Sequence, residues 1–296
     1  MTATARIETI VAATDFSVGS GNAVEQAALL AKRWGARLVL LHVFNDGAWS
    51  TLRSLYQAEH WARREPVLAA RDRLSQQAAE LGARHNIVVT AETRTGRAAA
   101  EIAAFAAECG AQLLVVGEHG EDWLGDTMIG GTALKLLEQA GLPVLLARRP
   151  AGAQYANLLV GVDFSDNALR AAHAAHVLFP DARLMLSHAY MVSFEGRMRL
   201  AGATDADIEG YRRNERIRAE QKMQDFLASL DGEARLPTSL ITRGFPPAVL
   251  FEQAAELDID LIVVGRHGGG RLAERLLGSV TQNVLYQSAC DVLLVP

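Results

Sequence analysis

The sequence repeats itself at an offset of 148 residues, which is half of its 296 residues. The matching segments include 15–17 with 163–165, 113–120 with 261–268, and 144–146 with 292–294. They share aspartates and glycines as well as apolar residues, so a biased composition does not explain them. Length alone allows two domains or one large α/β domain. The repeat selects two domains, which we place at residues 1–150 and 151–296.

Each half alternates short apolar runs with stretches of helical periodicity. The predicted strands lie at 7–13, 37–43, 87–92, 113–117, 144–147, 157–162, 183–189, 238–242, 261–265 and 292–295. This alternation is typical of a parallel sheet with helices on both faces. Between the second and third strands of each half we predict an irregular arm and a charged amphipathic helix, over 61–84 and 205–230. Residues 148–155, which include Pro150 and Gly152, are predicted to form the linker.

The composition excludes several classes of protein. The net charge is −5, which argues against a domain that neutralises a nucleic-acid backbone. Cys109 and Cys290 lie far apart and have no metal-ligand spacing, which fits a reducing compartment. The first residues lack the apolar core of a signal peptide, and no run reaches the roughly 18 apolar residues of a membrane helix. We therefore expect a soluble, cytoplasmic protein that binds neither nucleic acid nor membrane.

The strongest chemical signal is a strand followed by a glycine-rich loop and the start of a helix. It reads Val-Val-Gly-Arg-His-Gly at 263–268 and Gly-Ser-Val-Thr at 278–281. Gly265 and Gly268 allow the backbone to approach a ligand closely. The helix that starts near Ser279 offers N–H groups and a positive dipole end to an anion. The spacing differs from GxGxxG and from GxxxxGK(S/T), which disfavours a dehydrogenase and a P-loop nucleotidase.

The sequence resembles the universal stress protein family in its tandem two-domain form. Gly265, Gly268, Gly278 and Ser279 fit the family's nucleotide motif, Gly-x2-Gly-x9-Gly-(Ser/Thr). The segment 160–165 matches its first strand, which ends in an aspartate and a serine. The resemblance implies two Rossmann-like α/β domains of the adenine nucleotide α-hydrolase-like kind. Each would be a five-stranded parallel sheet with strand order 3-2-1-4-5, flanked by helices, with a site between strands one and four.

The resemblance also implies an ATP site in the second half. It assigns the adenosine to Val162, Asp163 and Ala189. It assigns the phosphates, with Mg²⁺, to the glycine loop and the helix start: Gly265, Arg266, His267, Gly268, Gly278, Ser279, Val280 and Thr281. An alternative left open is that Asp163 only caps the next helix. His42 and His188, at the ends of the second strands, are predicted to be buried and bonded to backbone.

The first half departs from this motif. It keeps Asp15, Gly117, Gly120 and Gly130, but Gly131 stands where the motif has a hydroxyl. Its loop carries four acidic residues and no basic one, Glu118, Glu121, Asp122 and Asp126. The loop of the second half carries three arginines and one glutamate, Arg266, Arg271, Arg275 and Glu274. Because ATP is an anion, we expect the second half to bind it and the first half to bind it weakly or not at all.

Three functions remain open from the sequence. The first is an ATP-binding stress protein, active in response or signalling with little or no catalysis and no catalytic residue. The second is a slow ATPase, with Arg266 and His267 near the phosphates. The third is a scaffold whose arms bind a protein partner or a different small ligand. The last strands of two domains meet in dimers of the family, so the resemblance also implies that strands 144–147 and 292–295 pair as an intrachain pseudo-dimer and cover each other's edges. A homodimer is a further expectation.

Overall fold

The first half of the chain folds around a five-stranded parallel sheet. Its elements are β1 (Thr9–Ala13), α1 (Val18–Trp34), β2 (Arg37–Phe44), α2 (Pro66–His85), β3 (Val89–Thr95), α3 (Ala98–Glu108), β4 (Leu113–Gly117), α4 (Gly131–Gln139) and β5 (Val144–Ala147). Strand β1 pairs with β2 and β4, β2 pairs with β3, and β4 pairs with β5, all parallel. The strands therefore lie in the order β3-β2-β1-β4-β5.

The second half repeats this architecture. Its elements are β6 (Asn157–Gly161), α5 (Asp166–Leu178), β7 (Arg183–Tyr190), α6 (Glu195–Leu200), α7 (Asp205–Ala228), β8 (Thr238–Arg243), α8 (Pro246–Glu256), β9 (Leu261–Gly265), α9 (Ser279–Gln287) and β10 (Asp291–Val295). Strand β6 pairs with β7 and β9, β7 with β8, and β9 with β10, all parallel. The predicted α/β fold class is confirmed.

This computed structural model describes residues 7–45, 66–119, 129–152, 154–230, 236–268 and 277–296. The chain divides into two compact units, Met1–Ala153 and Gln154–Pro296. The predicted boundary between residues 150 and 151 lies close to this division. No helix in these ranges is long and apolar enough to cross a membrane.

The predicted elements differ from the observed ones mainly at their ends. Strand β3 starts two residues late because the N–H of Ile87 is bonded to the carbonyl of Gly82, 3.2 Å away, which extends the end of α2. It continues to Thr95 because its pairing with β2 runs to the end of that strand. In the second unit the predicted irregular arm contains a short helix, α6. The carboxylate of Glu195 receives two bonds from Arg212 on α7, at 2.9 and 2.6 Å, which fixes this helix.

The central strands are covered on both faces. Residues of β1, β4, β6 and β9 are almost entirely buried, in line with their continuous apolar sequences. Glycine at the end of β4 and β9 then allows the first helix of each unit to approach closely. A Cβ atom on Gly265 would lie 2.9 Å from Cβ of Asn167, and one on Gly117 would lie 2.7 Å from the backbone of Gly19. The loop after each of these strands is thereby held against a helix start.

We expect Gly265→Ala to lower the free energy of unfolding by about 1–3 kcal/mol, because the added methyl group overpacks the contact with Asn167. Urea unfolding followed by circular dichroism measures this effect. The matched control is Gly210→Ala on α7, where a Cβ meets nothing within 4 Å. This control should raise stability by about 0.5–1 kcal/mol, since alanine is the better helix former. Equal stability of Gly265→Ala and the wild type would contradict the importance of the close approach.

Candidate functional site

A cavity of about 560 Å³ lies at the carboxyl ends of β6, β7 and β9 in the second unit. Every residue predicted for the site lines it except Arg266. The cavity wall also contains His188, which the sequence predicted as a buried residue and not as part of the site. It further contains residues that the sequence did not single out: Gly161, Ala168, Ser187, Pro246, Leu250, Val264, Leu277 and Gln282. The structure therefore brings the end of the first strand, the end of the second strand and the glycine loop to one place.

The turn after β6 holds Asp163 in a fixed position. Its Oδ1 accepts hydrogen bonds from the backbone N–H of Ser165 at 3.0 Å and from the hydroxyl of Ser165 at 2.5 Å. Ser165 is itself the N-cap of α5 and accepts from the N–H of Ala168 at 3.2 Å. The alternative in which Asp163 caps this helix is therefore wrong. Asp163 positions the cap, and its Oδ2 lies beside Gly268.

Phe164, which lies between Asp163 and Ser165, has a φ of +65°, in the left-handed region that a phenylalanine rarely adopts. Its ring packs on His188, with 4.2 Å between the ring centroids. Nδ1 of His188 lies 2.8 Å from the carbonyl oxygen of Val162, so the histidine ties β7 to the same turn. His42 makes the equivalent bond to Thr14 in the first unit. The predicted backbone bonds of both histidines are confirmed, but both rings are only half buried.

The environment of His188 favours its neutral form. Burial lowers the pKa of this imidazole, and the nearby ammonium of Lys222 lowers it further. The hydrogen bond to Val162 and the carboxylate of Asp163 act in the opposite direction without cancelling the effect of burial. The lowered pKa therefore favours a neutral imidazole at His188 in the cavity wall.

The glycine at position 268 is favoured by a close contact with the side chain of Asp163 rather than by an unusual dihedral angle. A Cβ atom there would lie 2.6 Å from Oδ2 of Asp163. The requirement at Gly278 is weaker, since its Cβ would lie 3.4 Å from the backbone nitrogen of Gly268. The N–H of Gly278 is bonded to the carbonyl of Arg266 at 2.9 Å, which closes the neck of the loop. Residues 269–276 lie outside the described part of the chain.

The N-terminus of α9 forms one wall of the cavity. The first helical hydrogen bond runs from the N–H of Gln282 to the carbonyl of Gly278 at 2.8 Å. The N–H groups of Ser279, Val280 and Thr281 thus precede the first intrahelical bond and have no intrahelical acceptor. The hydroxyl of Thr281 is buried and donates to the carbonyl of Gly265 at 2.8 Å. Any phosphate contact of Thr281 is therefore restricted to its backbone N–H.

Arg266 and His267 contribute differently from each other. His267 lines the cavity, and its carbonyl accepts a hydrogen bond from Nδ2 of Asn167 at 2.9 Å. The backbone of Arg266 joins the loop to β10, because its N–H is bonded to the carbonyl of Val295 at 2.8 Å. Burial lowers the pKa of its guanidinium. A direct phosphate contact of Arg266 stays a prediction.

The first unit has a cavity of about 500 Å³ at the equivalent place. Glu118 lies in its wall and forms a 3.0 Å ion pair with Arg148, whose side chain is 6% exposed. Lys135 on α4 also lines it. Both cations were missed when charges were counted along the loop alone, although the pairing of Gly117 with Ala147 places positions 118 and 148 side by side. The other acidic residues of this loop, Glu121, Asp122 and Asp126, lie outside the described residues.

The missed residues of the second cavity carry a weak sequence signal. Pro246 and Leu250 on α8 are the repeat counterparts of Ala98 and Ile102 on α3. All four line the cavities of their units. Comparing the two halves position by position would therefore have added the apolar wall to the site, whereas no motif would have done so.

Comparisons with known proteins agree with this architecture. Residues 6–148 and 154–296 each match the Universal stress protein family. A universal stress protein of Mycolicibacterium smegmatis is 27% identical over 304 residues, covering 97% of this chain and 96% of that protein. One of Thermus aquaticus is 32% identical over 145 residues, covering 48% of this chain and 98% of that protein.

Solved structures show the same fold. A universal stress protein of Archaeoglobus fulgidus matches with a TM-score of 0.71 at 17% identity and covers 97% of each chain. A functionally unknown protein of Pseudomonas aeruginosa matches with a TM-score of 0.63 at 22% identity, covering 98% of this chain and 92% of that one. At these identities the likeness concerns the fold.

We expect stability to fall as the pH drops below about 6.5, the ordinary pKa of histidine. The pKa of His188 is lower in the folded state, so the unfolded state binds more protons in this range. The contribution is fully present above pH 6.5 or so and is lost as the pH falls through the depressed pKa. His188→Asn keeps an N–H donor near Val162 but does not titrate. Between pH 7.5 and pH 5.5, the free energy of unfolding measured in urea should fall less in the variant than in the wild type. An equal fall in both proteins would contradict the lowered pKa of His188.

Proposed function

The chain belongs to the universal stress protein family, and we propose that its second unit binds ATP together with Mg²⁺. In this proposal the protein acts in a stress response or in signalling through the bound nucleotide, with little or no catalysis. The observation that carries it is the single cavity that joins the start of α9, the glycine loop and Asp163.

The anionic end of the ligand would lie at α9. Three backbone N–H groups at the start of this helix precede its first intrahelical bond, and the helix dipole places partial positive charge there. Gly268 and Gly278 add no side chain of their own to this end of the cavity, and His267 also lines the cavity. Phosphate groups bind at helix N-termini of this kind.

The nucleoside end would lie between β6, β7 and α8. The carboxylate of Asp163 is held by Ser165 through Oδ1 and lies beside the glycine loop, and in this proposal it accepts a hydrogen bond from a sugar hydroxyl. Leu250, Val264 and Leu277 provide apolar surface for a base. The volume of the cavity falls within the range of about 300–1,000 Å³ that is typical of small-molecule sites.

Mg²⁺ fits this site as an ion carried by the nucleotide. Within the described ranges, no group of three or more His, Cys, Asp or Glu side chains could hold a metal ion. Mg²⁺ commonly binds phosphate oxygens and keeps several waters, so the phosphates at the start of α9 would hold the ion while Asp163 binds the sugar. The ion would neutralise part of the phosphate charge.

Binding without efficient hydrolysis is favoured by how the polar side chains are used. Hydrolysis requires a group that orients water for attack on the terminal phosphate. In the described wall, Asp163 is bonded to Ser165 and His188 to the carbonyl of Val162. The hydroxyl of Thr281 is also committed to a backbone carbonyl. These three bonds hold the site together.

One nucleotide site per chain is proposed because the first unit lacks several of these features. Gly131 and Ala133 stand where Ser279 and Thr281 stand in the second unit, so both hydroxyl groups are absent. The intrachain pairing of the last strands, the homodimer and the cytoplasmic location stay predictions from the sequence.

We expect isothermal titration with Mg-ATP to show one site per chain. Gly268→Ala should raise the dissociation constant about ten-fold or more, since its methyl group meets Asp163, and Gly268→Val should abolish binding. The matched control is Gly120→Val at the equivalent position of the first half, which should leave binding unchanged. Circular dichroism checks that each variant is folded. No binding by the wild type at millimolar ATP, or unchanged binding by Gly268→Val, would overturn the proposal.

A further inference from the structure

A buried chain of polar side chains ends at the nucleoside side of the cavity. The hydroxyl of Ser187 on β7 lies 2.6 Å from Oε1 of Gln253 on α8, and Nε2 of Gln253 lies 3.0 Å from Oγ1 of Thr242 on β8. Ser187 is 3% exposed and Gln253 is 7% exposed, yet Ser187 lines the cavity. A buried hydroxyl at the inner end of a ligand cavity is a candidate recognition group.

The hydrogen bonds assign the amide oxygen of Gln253 to Ser187 and its amide nitrogen to Thr242. The distance of 2.6 Å between Ser187 and Gln253 is typical of an O–H donor, and 3.0 Å between Gln253 and Thr242 is typical of an N–H donor. The amide oxygen of Gln253 therefore accepts the proton of Ser187. A hydroxyl that has donated its proton can only accept further hydrogen bonds. Among the residues that the structure describes, none donates to Oγ of Ser187.

The first unit shows that the fold does not need this polar chain. Leu41 and Phe105 occupy the positions equivalent to Ser187 and Gln253. The same strand pairing forms around Leu41, which is fully buried and does not line its cavity. Only in the second unit does the described cavity reach this depth. The polar pair is thus a property of one site and not of the scaffold.

We propose that Ser187 accepts a hydrogen bond from an amino group on the base of the ligand, and so selects a 6-amino purine over a 6-oxo purine. The inference rests on the proposed function, which places the phosphates at α9 and the base at the other end of the cavity. Ser187 and Ala189 lie two residues apart on β7 and share a face of the strand. A 6-oxo group would set one acceptor against another in a buried place, which is costly.

The test compares three triphosphates by isothermal titration: ATP, ITP, and the triphosphate of purine riboside, which has no substituent at C6. The wild type should bind ATP roughly five-fold or more tightly than the purine riboside compound, the effect of one net hydrogen bond. ITP should bind more weakly still. In Ser187→Ala the difference between ATP and the purine riboside compound should disappear.

Gln253→Met is the matched variant because it keeps the volume and leaves Ser187 in place. Without its acceptor the serine hydroxyl can turn and donate, so ITP should bind more tightly relative to ATP than in the wild type. If either variant fails to fold, the double variant Ser187→Leu with Gln253→Phe restores the apolar pair of the first unit. It too should lose any preference for ATP over the purine riboside compound.

The outcomes separate the two proposals. ATP binding with an unchanged preference in Ser187→Ala would overturn the role of Ser187 and leave the nucleotide site standing. ATP binding by the wild type without preference for the amino group would do the same. No ATP binding by the folded wild type would overturn both.

Discussion

The close approach of α5 to the end of β9 is the constraint on which the candidate site depends. Gly265 permits it, because any side chain there would meet Asn167. Once the helix is in place, Asn167 donates to the carbonyl of His267 and holds the start of the glycine loop. The same helix start, capped by Ser165, holds Asp163 beside Gly268. One packing contact therefore places both the carboxylate and the loop that form the cavity wall.

The two units share this scaffold but differ in what lines it. Both have a glycine at the end of the fourth strand, a left-handed phenylalanine after the first strand and a histidine bonded to backbone. The differences lie in single side chains, such as Glu118 with its buried partner Arg148 in the first unit and Ser187 with Gln253 in the second. The two units thus share the contacts that support the cavity and differ in the side chains around it, as is common for sites built on a shared fold.

Most of the fold could be predicted from the sequence, because buried parallel strands are continuous apolar runs. The strands at 113–117 and 261–265 were predicted with their observed limits for this reason. The start of β3 was misplaced, since the hydrogen bond of Ile87 to the end of α2 is not visible in its side chain. The strand order came from the family resemblance, as periodicity does not specify which strands pair.

The candidate site was predicted where it is made of glycines and turn residues with a fixed spacing. It was missed where distant elements meet. Arg148 was assigned to the linker because its contact with Glu118 depends on the pairing of β4 with β5.

The hydrogen bond from Thr281 to Gly265 has a further consequence. That bond holds the start of α9 in place before any ligand binds. The free energy of binding is therefore not reduced by the entropic cost of ordering this helix start. Ala133 has no hydroxyl and provides no such anchor in the first unit, so the two cavities differ in preorganisation.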